Sequence, residues 1–323
     1  MSDLAAPKLR IGVSACLLGQ QVRFDGGHKR DLFLLETLGP LVEWVPVCPE
    51  VEMGLDIPRP TLRLERDRPD GELRLAMPKS GRDYTSQMNA YAARRSRELV
   101  AERLSGYVFK KDSPSCGLRS VKVYPAKGPA SRTGVGLFAE TLLSRFPHLP
   151  VEDEGRLHDA RLRENFVSHV FAYRHWQDLE REGFAVASLM RFHKLHKLTM
   201  MAHSQNGMRR LGRLLGSSDG RRPVRGLAAA YLDEFTAVMR RPPTRKSHTN
   251  VLQHLAGYVS KQLDPHDRRE LTETIEQYRL GLVPLIVAIT LLRHHARRQE
   301  QPYLSDQVYL YAHPHELMLL NQI

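Results

Sequence analysis

LRIGVSACLLG, residues 9–19, decides how the first half of this chain is read. Leu9–Ser14 is a short apolar run that ends in a small-residue turn at Cys16. The same pattern returns downstream. Trp44–Cys48 is a second apolar run, stopped by Pro49, and Gly106–Phe109 is a third, followed by the loop that carries Cys116. Leu62–Glu65 and Glu72–Leu75 flank Asp67-Arg68-Pro69-Asp70-Gly71, which reads as a turn between antiparallel strands. Val121–Tyr124 adds a further strand. Tyr84–Leu104 reads as a helix with Met88, Tyr91, Ala92, Leu99 and Leu104 on one apolar stripe, and Gly136–Phe146 as another. Strands alternating with helices predict an α/β domain: a mostly parallel, Rossmann-like sheet with helices on both faces. In such sheets the ligand crevice lies beyond the carboxyl ends of the strands, near a topological switch point.

Cys16, Cys48 and Cys116 are the only cysteines. An odd count argues against a closed disulfide framework. Three thiolates are also one short of the four that fill a tetrahedral site, which leaves a position for water or substrate. Separations of 32 and 68 residues exclude a local knuckle and suit three loops meeting above one sheet edge. The residues alone leave three readings open: zinc with a water, an iron–sulfur cluster with one uncoordinated iron, or buried packing cysteines.

From about Val151 the pattern changes. Glu152-Asp153-Glu154-Gly155 reads as a linker, and the chain beyond Leu157 is helical in period. Helices are expected over Asp159–Arg174, Ala185–Met201, Met208–Leu215, Val224–Arg240, Ser247–Lys261, Pro265–Leu280 and Val283–Glu300, punctuated by Pro223, Pro242-Pro243, Pro265 and Pro284. Of 15 histidines only His28 and His148 precede residue 150, so the halves look like different modules. The expected domains are 1–152, α/β, and 158–323, all-α. The net charge of +12 favours a polyanionic partner, nucleic acid above all, but both halves share it. Met1–Lys8 lacks the apolar core of a signal peptide. No run reaches the roughly 18 apolar residues of a membrane span. A soluble cytoplasmic protein with reduced thiols and no membrane partner is expected.

SACLLG at 14–19, RFDGGHKRD at 23–31, PVCPEVEMGL at 46–55, PRPTLRL at 58–64 and KKDSPSCG at 110–117 resemble the thiouracil desulfidase (TudS) family over essentially all of residues 8–150. FVSHVFAYRHW at 166–176, FHKLHKLTMMAHS at 192–204 and YLSDQVYLYAHPHELMLLN at 303–321 resemble the helical domain fused to it in RudS-type thiouridine desulfidases. The resemblance implies a 4Fe–4S cluster held by Cys16, Cys48 and Cys116, with one iron not bound by protein. Many members carry a further cysteine where this chain has Val22. The implied activity is loss of sulfur from a thiolated uracil, 4-thiouridine in tRNA first, giving uridine and sulfide without net redox change. Free thiouracil or a thiouridine nucleotide is the alternative substrate. A zinc-stabilised RNA-binding module without catalysis is the alternative from another class.

Water addition needs a base and departing sulfur needs a proton. Glu50, two residues after Cys48, is the first candidate, with Glu52 behind it. Ser14, Ser113 and Ser115 are candidates to donate to sulfur or a uracil oxygen. Lys29 and Arg30, beyond the turn at Asp25-Gly26-Gly27, are candidate phosphate contacts, as are Arg59 and Lys111, which follows Lys110. In the helical half Lys194 and Lys197, with Arg191 and His203, suggest a basic helix face, extended by Arg209-Arg210, Arg213 and Arg221-Arg222. Arg241, Arg245 and Lys246 lie in a proline-stiffened loop that suits a phosphate clamp. His193, His196 and His203 share a helix face, but no carboxylate at ligand spacing accompanies them. Phe192, Tyr173, Trp176 and Tyr231 read mostly as core. The stretch Tyr303–Leu320 carries no assigned role.

Overall fold

A computed structural model describes residues 9–68, 71–217, 223–300 and 302–311. The Pro69–Asp70 turn centre, Arg221-Arg222, Met1–Lys8 and the His-Pro-His turn at 313–315 lie outside the described residues. The chain divides into two compact units between His158 and Asp159.

The first unit is built on four parallel strands. They are β1 (Leu9–Ser14), β2 (Val42–Val47), β6 (Gly106–Phe109) and β9 (Val151–Asp153), in the order β2-β1-β6-β9. β1 is buried along nearly its whole length and β6 throughout, as parallel strands covered on both sides must be. Register aligns the strand ends: Ser14 lies opposite Val47, and Val13 opposite Val108. Each parallel strand therefore delivers its following loop to the same edge. The order reverses direction between β1 and β6, which is the switch point where loops part and a crevice opens.

A second sheet, of five strands, was not legible as a separate layer. It joins β3 (Arg63–Arg66), β4 (Arg74–Met77), β5 (Arg82–Asp83), β7 (Val121–Pro125) and β8 (Ser131–Gly134) in the order β5-β4-β3-β7-β8. β3 and β4 pair antiparallel, while β3 and β7 run parallel. The helices here are α1 (Pro49–Glu52), α2 (Thr85–Ala101) and α3 (Leu137–Arg145). α2 buries Met88, Tyr91, Ala92 and Leu99, the stripe read from its sequence.

The second unit is helical: α4 (Ala160–Glu182), α5 (Val186–His203), α6 (Gln205–Gly216), α7 (Val224–Met239), α8 (Arg245–Val259), α9 (Pro265–Leu280), α10 (Leu285–Arg298) and the short α11 (Pro302–Ser305). Caps explain several boundaries. Asp159 accepts from the N–H groups of Arg161 and Leu162 to start α4, and Thr244 accepts from Ser247 N to start α8. Gly281, left-handed at φ +81°, ends α9. α4 runs beyond the expected Arg174 because Trp176 and Gln177 are buried and extend its inner face. Trp176, Phe192, Tyr231 and Phe235 pack ring against ring in one core. A second core gathers Val251, Leu255, Tyr278, Leu292 and their neighbours.

Candidate functional site

The three cysteines follow three adjacent strands. Cys16 lies in the turn after β1, Cys48 is the residue before α1 at the end of β2, and Cys116 lies in the loop after β6. All three line one cleft of about 340 Å³. Cys16 and Cys116 are buried and Cys48 is half-buried. Burial pushes the Cys16 thiol up to about 11, against the pull of Lys110. Burial likewise raises Cys48, and holds Cys116 well above an ordinary thiol. These are not activated nucleophiles, which need an exposed, electropositive setting and a depressed pKa.

Their spacing is also informative. A single zinc at about 2.3 Å from each sulfur requires sulfurs roughly 3.8 Å apart. Among the described residues, the group of three His, Cys, Asp or Glu donors within 4.8 Å of one another is His266, Asp267 and Glu270, on an exposed turn of α9. The three sulfurs do not all lie within 4.8 Å of one another.

Loops are fixed by hydrogen bonds that tie one strand end to the next. Ser14 Oγ accepts from Lys110 N at 2.9 Å, locking the β1 and β6 ends together, and Ser14 pulls the Cys116 pKa down against burial. Ser113 Oγ accepts from the N–H groups of Ser115 (3.3 Å) and Cys116 (3.1 Å), shaping the loop. Glu52 accepts from Cys48 N at 2.8 Å through one oxygen and from Tyr91 Oη at 2.6 Å through the other. Glu52 is therefore spent on holding the Cys48 turn.

Glu50 stands at the cleft wall with both oxygens occupied. Oε1 accepts from Ser115 Oγ at 2.9 Å; Oε2 accepts from Arg59 Nη2 at 2.7 Å and Nε at 3.0 Å. Arg59 also donates to the carbonyls of Val22 and Asp56. Arg59, a candidate phosphate contact by sequence, is buried at the cleft wall with its guanidinium paired to Glu50. Ser115 is fully buried behind Glu50 and does not line the cleft, so its hydroxyl serves the carboxylate rather than a ligand. Arg30 pairs with Glu36 at 3.1 Å and stands off the cleft wall. Lys29 and Lys111 are exposed and line the cleft.

Arg23 escaped the sequence reading as a site residue, and Lys110 was read only as a cation leading into the Cys116 loop. Both line the cleft and both favour a negative charge on Cys16. Lys110 is anchored by Glu154, whose other oxygen accepts from Lys111 N at 2.7 Å. The doubled lysine of KKD was the available signal; the distant carboxylate that holds it was not visible. Five cations line the wall against two carboxylates, Glu50 and Asp112.

In the second unit the structure separates the candidate histidines. His193 meets Tyr231 Oη at 3.0 Å, His196 meets His175 at 3.2 Å, and His203 meets the Arg241 carbonyl at 2.8 Å. Each has its own partner, so no shared metal position forms. Lys194 and Lys197 line a second cavity, of about 350 Å³. Arg241, Arg245 and Lys246 are exposed and do not line it; Arg245 lies over the Tyr278 ring. No helix among the described residues is long and apolar enough to cross a membrane.

Comparison with known proteins follows the same division. Residues 11–154 match the 2-thiouracil desulfurase family, and residues 197–314 match a protein region of unknown function, DUF1722. The chain is 26% identical to the uncharacterized protein YbgA of Escherichia coli (strain K12) over 159 residues, which is 49% of this chain and 94% of that one. A solved structure, the 4Fe–4S-dependent thiouracil desulfidase TudS, is 34% identical over 47% of this chain and 95% of its own, with a TM-score of 0.38. The chain thus belongs to the 2-thiouracil desulfurase family through residues 11–154, fused to a DUF1722 region.

Proposed function

We propose that this chain is an iron–sulfur-dependent desulfidase that removes sulfur from a thiolated uracil, with 4-thiouridine in tRNA as its substrate. The observation that carries the reading is one cleft at a sheet switch point, lined by three thiols and by a carboxylate held between an arginine and a serine. Cys16, Cys48 and Cys116 would hold a 4Fe–4S cluster with one iron left free of protein. Three features fit such a group: thiols set wider than a single ion requires, a cleft of about 340 Å³, and cations that offset thiolate charge. When bound, the cluster supplies a soft Lewis-acid iron for a thiocarbonyl sulfur.

The side chains supply the rest. Glu50 takes a proton from the water that adds to the ring carbon, and returns it as the C–S bond breaks. The balance is C=S plus water giving C=O plus hydrogen sulfide, with no electrons from outside. Arg59 and Ser115 hold the carboxylate in one orientation. Lys29 and Lys111, at the rim, meet the phosphates flanking the base.

Free thiouracil remains a second reading, because the whole cleft is built from residues 14–116 of the first unit. One experiment tests both. Full-length protein is reconstituted with iron and sulfide without oxygen, then given 4-thiouracil, 4-thiouridine monophosphate or 4-thiouridine tRNA. Brown protein that releases sulfide fastest from tRNA is expected. Colourless protein after reconstitution would sink the desulfidase reading in either form. Alanine at Cys16, Cys48 or Cys116 should abolish both colour and turnover.

A further inference from the structure

The second unit contains a cavity that the desulfidase chemistry does not use. It lies between α5, α6, α8 and α11 and measures about 350 Å³, within the range of small-ligand sites. Its composition is particular. Tyr258 and Tyr303 form an aromatic wall, their ring centroids 5.0 Å apart. Lys194 and Lys197 supply the charge, with the Lys194 ammonium 6.0 Å from the Tyr303 ring centroid. The described lining residues include no carboxylate to neutralise them. His193 shares the wall; burial, then Lys197, depress its pKa, so it stays neutral with its ring fixed by Tyr231. Gly212 and Gly216 on α6 leave the opposite wall bare. A Cβ at Gly212 would meet only His193, at 3.6 Å, and one at Gly216 nothing within 4 Å.

A flat aromatic surface beside two ammonium groups matches a planar base joined to a phosphate. It matches neither an apolar molecule, which has no use for the lysines, nor a bare anion, which has no use for the tyrosines. We propose that this cavity takes one unpaired nucleotide of an RNA strand. The base packs on the Tyr258–Tyr303 wall and the adjoining phosphate sits on Lys194 and Lys197. The proposal deepens the RNA reading above and rests on it: it gives the second unit a defined grip on single-stranded RNA rather than a diffuse basic face.

The test uses the full-length reconstituted protein, a fluorescent single-stranded oligouridylate read by anisotropy at several salt concentrations, and sulfide release from free 4-thiouracil. Lys194→Ala/Lys197→Ala is expected to weaken binding about tenfold or more and to shrink the salt slope by about 1 to 2. Gly216→Leu and Gly212→Leu change no charge and fill the cavity. Each should weaken binding at least about fivefold with the salt slope unchanged, and Tyr258→Leu should do the same by removing a π face. Unchanged thermal midpoints and 4-thiouracil turnover show that these variants fold. If both glycine variants and Tyr258→Leu bind like the parent while the lysine variant does not, the lysines act as an open cationic surface and the proposal is overturned. Displacement of the oligonucleotide by micromolar uridine monophosphate assigns the cavity to a free nucleotide and also overturns it. Parent protein that desulfurates 4-thiouracil but binds no oligonucleotide overturns both this proposal and the RNA reading, leaving the chemistry intact. Protein that binds through the cavity but never yields sulfide leaves the cavity standing and removes the desulfidase reading.

Discussion

In the proposed mechanism Glu50 carries the proton, and its neighbours say what replacing it should do. Gln at position 50 keeps a hydrogen-bond acceptor for Ser115 but loses the proton-carrying function. Glu50→Gln is expected to keep iron content and brown colour while sulfide release falls by about 10² to 10⁴, the usual worth of a general acid–base. Equal turnover in the variant would remove Glu50 from the mechanism. Arg59 makes a second prediction. Its side chain is 4% exposed and that of Glu50 is 15%. Arg59→Met leaves a shielded carboxylate without its cation and two carbonyls without their donor, at a cost on the order of 3 kcal/mol. Denaturant unfolding reads that loss, and an unshifted midpoint would contradict the buried clamp. That the cysteines, Glu50, Lys29 and Lys111 come to one cleft could be anticipated because each lies inside a short motif. The pairing of Arg59 with Glu50 was not legible in Pro58-Arg59-Pro60. Its partners, Glu50 and the Val22 carbonyl, are brought to it only by folding.

At the scale of elements, the Cys116 loop is held by close backbone packing. A Cβ on Gly136, just before α3, would lie 2.5 Å from the Ser115 carbonyl group and 2.8 Å from Cys116 N. Backbone cannot step aside as a side-chain tip does. Gly136→Ala is therefore expected to displace the Cys116 loop, lowering stability by about 1–3 kcal/mol and cutting iron uptake together. Iron per chain after reconstitution and the thermal midpoint test it; full iron loading would show that the loop tolerates the shift. The alternation of apolar runs with helical stripes was enough to predict β1, β2, β6 and α2, but not β9: Glu152-Asp153 read as the start of an acidic linker, whereas Val151–Asp153 pairs parallel to β6 as the sheet's edge strand. It was not enough for β8, whose SRTG sequence is exposed along three of four positions and carries no apolar alternation. β5, only two exposed residues long, gave no signal either.

For the whole molecule, the uneven distribution of histidine becomes a prediction about acid. Burial holds His169 and His248, each about 5% exposed or less, down to about 3, against 6.5 for a free imidazole. The unfolded chain takes up protons that the folded one refuses. Stability from these groups is thus present above about 6.5 and lost as pH falls toward about 3, by about 1.4 kcal/mol per unit for each. Glu164 opposes them. Burial raises it to about 7, so its folded form keeps a proton and contributes at low pH, and that contribution is lost as pH rises from 4.5 toward 7. Two histidines outweigh one carboxyl below 6.5. The thermal midpoint of the second unit is expected to drop between pH 7.5 and pH 5, and an unchanged midpoint would refute the neutral burial of these rings. Composition showed that the halves differ. It could not show which histidines are buried, because helix period places a residue on a face without saying what covers that face.

The strand order also has a consequence for how the protein is made. Cys16 and Cys48 leave the ribosome early, but Cys116 belongs to the loop after β6, and β6 lies between β1 and β9. The lysine beside Cys16 is anchored by Glu154, the residue after β9 ends. The edge that gathers the thiols is therefore complete only when nearly the whole first unit has been synthesised. The order of synthesis thus bears on the site: its folded edge exists only after the first unit is complete.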